Sequence, residues 1–290
     1  QRYTLKALCE AYCDHLLEKG KTESARQARS ILKCHLYEAF PEIAALPANE
    51  VTSHQLADVI RKVGDKGKKR TPGILRSYLC AAYVKALQAP FDTETPESFI
   101  PYKVEVNPIE RIPAISVNRG KTVLMESELK TYISKLGNSM SDMALKLALY
   151  SGGQRMAQIL RAKVSDYDPR SRILCLWDNK GRRKEPRRHL IPLSDKAAAL
   201  VTTLVDLANE REKKLAKSEN RQPTTNSSWL FSIGKNPLTE TRPGKRLKEI
   251  CKAIPGSNFD LRDIRRTCET ILARLRVDKD TRAQLPILVT

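Results

Sequence analysis

The chain has 290 residues, 41% hydrophobic and 29% charged, a globular rather than disordered composition with length enough for two domains. Its 52 Lys and Arg stand against 33 Asp and Glu, a formal net charge of +19 that points to a polyanionic partner. No apolar run reaches a membrane span, and no helix pairs a basic face with Trp or Phe at amphipathic spacing, so nucleic acid is favoured over a membrane surface.

The opening Gln1-Arg2-Tyr3-Thr4 is no secretory signal and, lacking an initiator methionine, reads as a fragment start. From Thr4 to Lys19 the apolar positions Leu5, Leu8, Cys9, Tyr12, Leu16 and Leu17 recur at helical spacing, and Gly20 supplies the stop. Thr22 fits the N-cap of a second helix running through Ile31, Leu32, Leu36 and Phe40 and ending before Pro41. Thr52 or Ser53 opens a third, carrying Leu56, Val59 and Ile60 into the basic loop Lys66-Gly67-Lys68-Lys69-Arg70. A fourth spans about Pro72 to Leu87 with Leu75, Leu79, Ala82, Tyr83 and Ala86 on one side. From Gln88 to Lys121 five prolines break any long helix; Val104 to Arg119 reads as extended linker, with the domain boundary near residue 118.

The second part is mixed. Helices are expected at Glu126–Leu136, Ser139–Tyr150 and Met156–Arg161, then short strands around Ala162–Tyr167, Arg172–Trp177 and Arg188–Pro192. Ser194 caps a long helix to about Lys217, Trp229-Leu230-Phe231 is a brief apolar segment, and helices follow at Thr239–Ile254 and Asp260–Leu275. The fold class expected is mainly α with a small antiparallel β-sheet in the C-terminal domain. The seven cysteines are odd in number and scattered in apolar patterns; Cys9 and Cys13, one helical turn apart, suit a buried face better than a zinc knuckle. They read as reduced thiols of a cytoplasmic protein, and no metal site is expected.

Three features carry chemistry. Arg155 follows Gly152 and Gly153 at a helix start, where its planar fork can meet a phosphate; a surface arginine is the plainer reading, weakened because a cation there opposes the helix dipole. Arg262, Arg265 and Arg266 crowd one short helical stretch, either as a solvated basic face or as phosphate ligands. Lys180 lies in Asp178-Asn179-Lys180-Gly181-Arg182-Arg183-Lys184, a β-hairpin turn whose tip projects basic groups to solvent or into a DNA groove.

Their order is more specific than any one of them: a helical basic module, a Pro-broken linker, Gly-Gly-Gln-Arg, a hairpin lysine, then Leu261-Arg262-Asp263-Ile264-Arg265-Arg266-Thr267. In this the chain resembles the tyrosine recombinases, the phage-type integrases. The resemblance covers essentially all of it and implies a helical core-binding domain at 1–117 and an α+β catalytic domain at 118–290. Leu149 to Leu160 is similar to the family's first arginine motif, Lys180 to Leu193 to its catalytic-lysine hairpin, and Leu261 to Thr267 to its His-x-x-Arg motif.

The resemblance implies that Arg155 and Arg265 hold the scissile phosphate and that Lys180 protonates the leaving 5′ oxygen. A tyrosine would attack to give a 3′-phosphotyrosyl link, with no cofactor and no metal. Arg262 stands where the pattern has His, leaving a cation toward the phosphate in place of a proton-transfer group, and Gln158 occupies a slot usually acidic, where it can orient neighbours. The pattern continues into a His-containing motif and the nucleophilic tyrosine after Leu285. No tyrosine lies after Tyr167, so no nucleophile is assigned; the C-terminal segment reads as omitted or truncated, and the apolar Ile287-Leu288-Val289 as a tail strand.

DNA-contact candidates are Lys66, Lys68, Lys69, Arg70 and Arg76 in the first domain and Arg182 and Arg183 in the second. The expected partner is double-stranded DNA, gripped by both domains as a C-shaped clamp and acted on by a homotetramer, with accessory DNA-bending proteins, in the nucleoid of a bacterial cytoplasm. Integration or excision of a mobile element is the function implied. The rivals are a non-cleaving DNA-binding derivative and a type IB topoisomerase-like nicking-closing enzyme.

Overall fold

The computed structural model describes residues 3–65, 67, 69–116, 120, 122–178, 185–254, 256 and 258–284. The chain divides into two compact units, Gln1–Arg119 and Gly120–Thr290.

The first unit is helical. Helix α1 (Leu5–Glu18) starts on Thr4, whose hydroxyl accepts the Ala7 N–H at 3.2 Å, and gives way to Gly20 at φ +70°. Helix α2 (Thr22–Leu32) begins on Thr22 itself with Lys21 as its cap, so Thr22 is not the capping residue the spacing suggests. A π-turn, Lys33–Tyr37, rather than α-helix then carries Leu36 inward. Pro41 starts the short α3 (Pro41–Ala44) instead of merely ending what precedes it, because its fixed φ suits a first helical position. Helices α4 (Ser53–Asp65) and α5 (Thr71–Gln88) complete the module. Leu5, Leu8, Leu32, Leu36, Leu56, Leu75 and Leu79 meet in a fully buried core, with the Tyr83 hydroxyl donating to the Ala48 carbonyl at 2.9 Å.

The proline-rich stretch is less extended than its composition suggests. Residues Glu97–Tyr102 form a 3₁₀ helix that buries Phe99 and Tyr102, and Val104 and Ile109 join the same core. Arg76 on α5 fixes this return: its Nε donates to the Ile112 carbonyl at 2.7 Å and its Nη2 to that of Ile109 at 3.5 Å. Prolines disallow a long α-helix here but not a short 3₁₀ turn, and burial of Val104 and Ile109 packs the start of the stretch expected to be linker.

The second unit has helices on a small sheet. Helices α6 (Glu126–Ser134), α7 (Met140–Tyr150) and α8 (Met156–Ile159) precede strands β1 (Tyr167–Asp168), β2 (Ile173–Asp178) and β3 (Arg187–Pro192). The sheet is antiparallel in the order β1-β2-β3, with Leu174 opposite Ile191 and Asp178 opposite Arg187, so β2 and β3 form a hairpin. Where a strand over Ala162–Tyr167 is expected, only the end is strand. Asp166 caps the Lys163 N–H at 2.8 Å, closing a 3₁₀ turn over Val164–Asp166, while Ala162 and Val164 bond to the Ser228–Leu230 segment.

Helix α9 (Asp195–Ser218) starts on Ser194, and α10 (Thr241–Lys252), α11 (Leu261–Arg274) and α12 (Lys279–Gln284) follow. Two buried carboxylates tie this unit. Asp142 on α7 accepts the Arg246 Nε of α10 at 2.7 Å; Glu212 on α9 accepts Arg221 at 2.6 Å and the Thr224 N–H at 2.8 Å. Leu145, Leu147, Ile159, Leu174, Val201, Leu204, Leu230 and Phe231 fill the core. The architecture is mainly helical with one small antiparallel sheet, as expected from the chain.

Candidate active site

The site grows from one tight turn. Helix α7 ends at Ser151, whose hydroxyl folds back to the Leu147 carbonyl at 2.6 Å. Gly152 and Gly153 follow at φ +77° and +86°, and the Gly153 N–H closes on the Ala148 carbonyl at 2.8 Å. A Cβ at Gly153 would lie 2.9 Å from the Arg265 Cα, 3.2 Å from the Arg265 carbonyl oxygen and 3.1 Å from the Cys268 Cβ. The turn therefore rests directly on the backbone of α11, which requires glycine twice over: for its φ and for its missing side chain.

That contact brings two arginines to one place. Arg155, two residues past Gly153, is the cap residue of α8, and its Nη1 donates to Asp178 Oδ2 at 3.2 Å. Asp178 is the last residue of β2, and the pair is largely withdrawn from water, with side-chain exposures of 23% and 10%. Arg265 is half-buried beside them. Burial first, and then the Arg155 charge, lower its pKa; Glu269 and Asp178 oppose the shift. Two guanidiniums drawn together in a poorly solvated spot, partly offset by carboxylate, form an anion-receiving arrangement.

The start of α11 sets which arginine takes part. Asp260 caps it by accepting the Arg262 and Asp263 N–H groups at 2.7 and 3.1 Å, and Asp263 returns a bond to the Asp260 N–H at 2.9 Å. Arg266 is spent on structure: it pairs with buried Asp263 and reaches the Thr122 carbonyl at 3.4 Å. Thr267, fully buried, donates to the Asp263 carbonyl at 2.8 Å and accepts the Leu124 N–H at 2.9 Å, fastening the unit's first segment to α11. Arg262 is exposed one turn before Arg265.

Lys180, Arg182 and Arg183 lie outside the described residues, as do Lys66 and Lys68. The paired strands β2 and β3 flank residues 179–186. Lys69 and Arg70 are exposed immediately before α5, whereas Arg76 is engaged with the Ile109 and Ile112 carbonyls. Of the tyrosines in this unit, Tyr132 is fully buried, stacked edge-on against Phe259 at 5.9 Å, and burial pushes its phenol far up; Tyr150 and Tyr167 pack against the core. Among the described residues no cluster of His, Cys, Asp and Glu is placed to hold a metal ion, and no helix is long and apolar enough to cross a membrane.

Two participants are not apparent from sequence. Asp178 reads as a turn residue, and only the ladder places its carboxylate on Arg155, 23 positions earlier. Gly153 reads as a turn former, but its contact with Arg265 is a tertiary one. A lone acid heading a basic run is the only signal for the first.

Residues 122–285 match the model of the phage integrase family. The Tn1549 transposon integrase in complex with circular intermediate DNA superposes with a TM-score of 0.67 at 14% identity, covering 98% of this chain and 91% of that one. A lambda integrase dimer bound to a COC′ core site gives 0.67 at 18% identity, covering 97% and 90%. A lambda integrase tetramer bound to a Holliday junction gives 0.67 at 19%, covering 98% and 76%. Comparison with curated proteins found no match. These likenesses extend the shared fold over both units, and the family match over most of the second establishes that the chain belongs to the phage integrase family of tyrosine recombinases.

Proposed function

We propose that this protein is a site-specific DNA recombinase that cuts and rejoins strands through a 3′-phosphotyrosyl intermediate. The observation that carries the reading is the convergence of Arg155 and Arg265 at the Gly152–Gly153 turn, in a chain with a net charge of +19. Arg155 and Arg265 bind the non-bridging oxygens of the scissile phosphodiester and neutralise the charge that builds in the pentacovalent transition state. A tyrosine oxygen attacks phosphorus, the P–O5′ bond breaks, and Lys180 gives its proton to the leaving 5′ oxygen. Attack by a 5′ hydroxyl of the partner strand reverses these steps, so the bond energy is kept in the phosphotyrosyl link and no nucleotide is consumed. Arg262 supplies a further cation toward the phosphate. The nucleophile is not assigned to any residue of 1–290.

Lys66, Lys68, Lys69, Arg70, Arg182 and Arg183 supply phosphate contacts along the duplex, giving affinity more than sequence choice. Arg76 we assign instead to holding the 107–112 segment on α5. The working assembly is a homotetramer on two paired DNA sites, passing through a four-way junction, and the role is integration or excision of a mobile element in a bacterial nucleoid, with accessory DNA-bending proteins.

The test is incubation of the full-length protein with nicked duplexes selected from a random pool for tight binding. A covalent protein–DNA product specific to the selected sequence supports the reading, and mass mapping of the adduct identifies the tyrosine. Specific binding with no adduct assigns the non-cleaving derivative instead. Relaxation of supercoils without sequence preference assigns the topoisomerase-like enzyme.

A further inference from the structure

Arg155 leaves the Gly152–Gly153 turn as the cap of a helix only four residues long, so its own element does little to fix the guanidinium. A long side chain with such freedom loses precision as a ligand unless something holds it. The residue one turn on does not: Gln158 is buried, with 6% exposure, yet neither atom of its side-chain amide has a hydrogen-bond partner among the described residues. Asp178 reaches Arg155 from the sheet. Asp178 Oδ2 accepts from Arg155 Nη1 at 3.2 Å, and Asp178 is held by the β2–β3 ladder, opposite Arg187.

We propose that Asp178 is the positioning residue for Arg155, clamping one nitrogen of its fork so that the guanidinium faces the phosphate in a set orientation. The assignment rests on the reading of Arg155 as a phosphate ligand. The contact is end-on through Nη1, one of the five donors that a guanidinium carries in a fixed plane, so Asp178 sets the plane of the fork through one nitrogen. The charges fit this role. Asp178 offsets part of the charge of the two guanidiniums and, through its contact with Arg155, does so from one side of the pair. Removing the carboxylate charge leaves two like charges side by side in a poorly solvated spot, and Arg155, the more exposed of the pair's partners, turns away from Arg265. Asp178 also heads the connection that contains Lys180, so the strand that holds Arg155 is the one from which the lysine segment departs.

The test uses the full-length protein and Asp178→Asn, which keeps shape and removes charge, with Asp178→Glu as the conservative variant. Three quantities are read: the Arg155 Nε–Hε NMR signal, assigned by its loss in Arg155→Lys; the Kd for selected DNA; and the rate of covalent product formation. In Asp178→Asn the Arg155 signal is expected to broaden, and the rate to fall ~10- to 100-fold, the scale of a misplaced reacting group. Its Kd stays within about threefold, because a positioning loss acts on the transition state more than on binding. Asp178→Glu restores signal and rate in part.

An unchanged Arg155 signal and rate in Asp178→Asn overturn the proposal. So does an equal loss of binding and rate with Arg155 still ordered, the mark of a purely structural role. If Asp178→Asn does not fold, Asp178→Glu is read alone: an ordered Arg155 supports the clamp and a disordered one overturns it. Failure of the underlying reading is separate, since Arg155→Ala would then leave covalent product untouched while the Arg155 signal compared between wild type and Asp178→Asn still reports the clamp.

Discussion

Gly153 and Arg265 meet backbone to backbone: a Cβ on the glycine would stand 2.9 Å from the Cα of the arginine. This places the Arg155 turn against the Arg265 helix through main chain, which no change of rotamer can relieve. Gly153→Ala must both hold an L residue at φ +86° and push α11 away. The substitution is expected to destabilise the second unit by about 1–3 kcal/mol and to slow cleavage more than it weakens binding. Thermal unfolding and single-turnover cleavage of the variant check this; wild-type values for both would show that the turn does not hold α11 in place.

The basic residues ahead of α5 have a salt-dependent signature. If Lys69 and Arg70 contact phosphates, replacing either with Gln reduces the slope of log K against log salt by about one and weakens all DNA sequences alike. Arg76→Gln acts differently, because the arginine is bonded to the Ile109 and Ile112 carbonyls. It is expected to cost about 1–2 kcal/mol of stability in the first unit and to leave the salt slope as it was. Binding titrations at several salt concentrations, paired with unfolding curves, separate the two effects. A slope change in Arg76→Gln alone would reverse the assignment.

Acid sensitivity of the second unit should pass through Glu212. Hydrogen bonds from Arg221, and then from the Thr224 N–H, hold its carboxyl down from an ordinary 4.5 to about 2. A carboxyl depressed in the folded chain takes up its proton first in the unfolded one, so stability rises with pH across this range. The contribution is complete above pH 4.5 and disappears as pH falls toward about 2. Wild type is therefore expected to exceed Glu212→Gln in unfolding midpoint at neutral pH, with the gap closing between those limits. A gap that stays constant down to pH 2 would show that Glu212 contributes shape and not charge.

Much of the fold was legible because its signals are local. The hydroxyls of Thr4, Ser139 and Ser194 cap the helices expected after them, and Leu75, Leu79, Ala82, Tyr83 and Ala86 lie buried on the face their spacing defines. What was missed depends on tertiary partners. Val104 and Ile109, in the stretch that composition reads as linker, join the core beside Phe99 and Tyr102 of the 3₁₀ element before it. Within the site, Arg265 and Arg266 are neighbours of identical chemistry. One faces the glycine turn and the other pairs with Asp263, a distinction set by how α11 is rotated rather than by either residue's identity. The Asp178–Arg155 pair is invisible for the same reason: strand register, not sequence proximity, makes it.

Trapping covalent product on selected nicked DNA, with wild type and Arg265→Ala side by side, decides whether Arg155 and Arg265 act on a scissile phosphate. Wild type is expected to form a sequence-specific phosphotyrosyl adduct. Arg265→Ala is expected to keep specific binding while adduct formation falls by on the order of 10²-fold or more, the scale of losing a preorganised oxyanion ligand. Adduct formed as fast by Arg265→Ala as by wild type would show that Arg265 does not act on the phosphate.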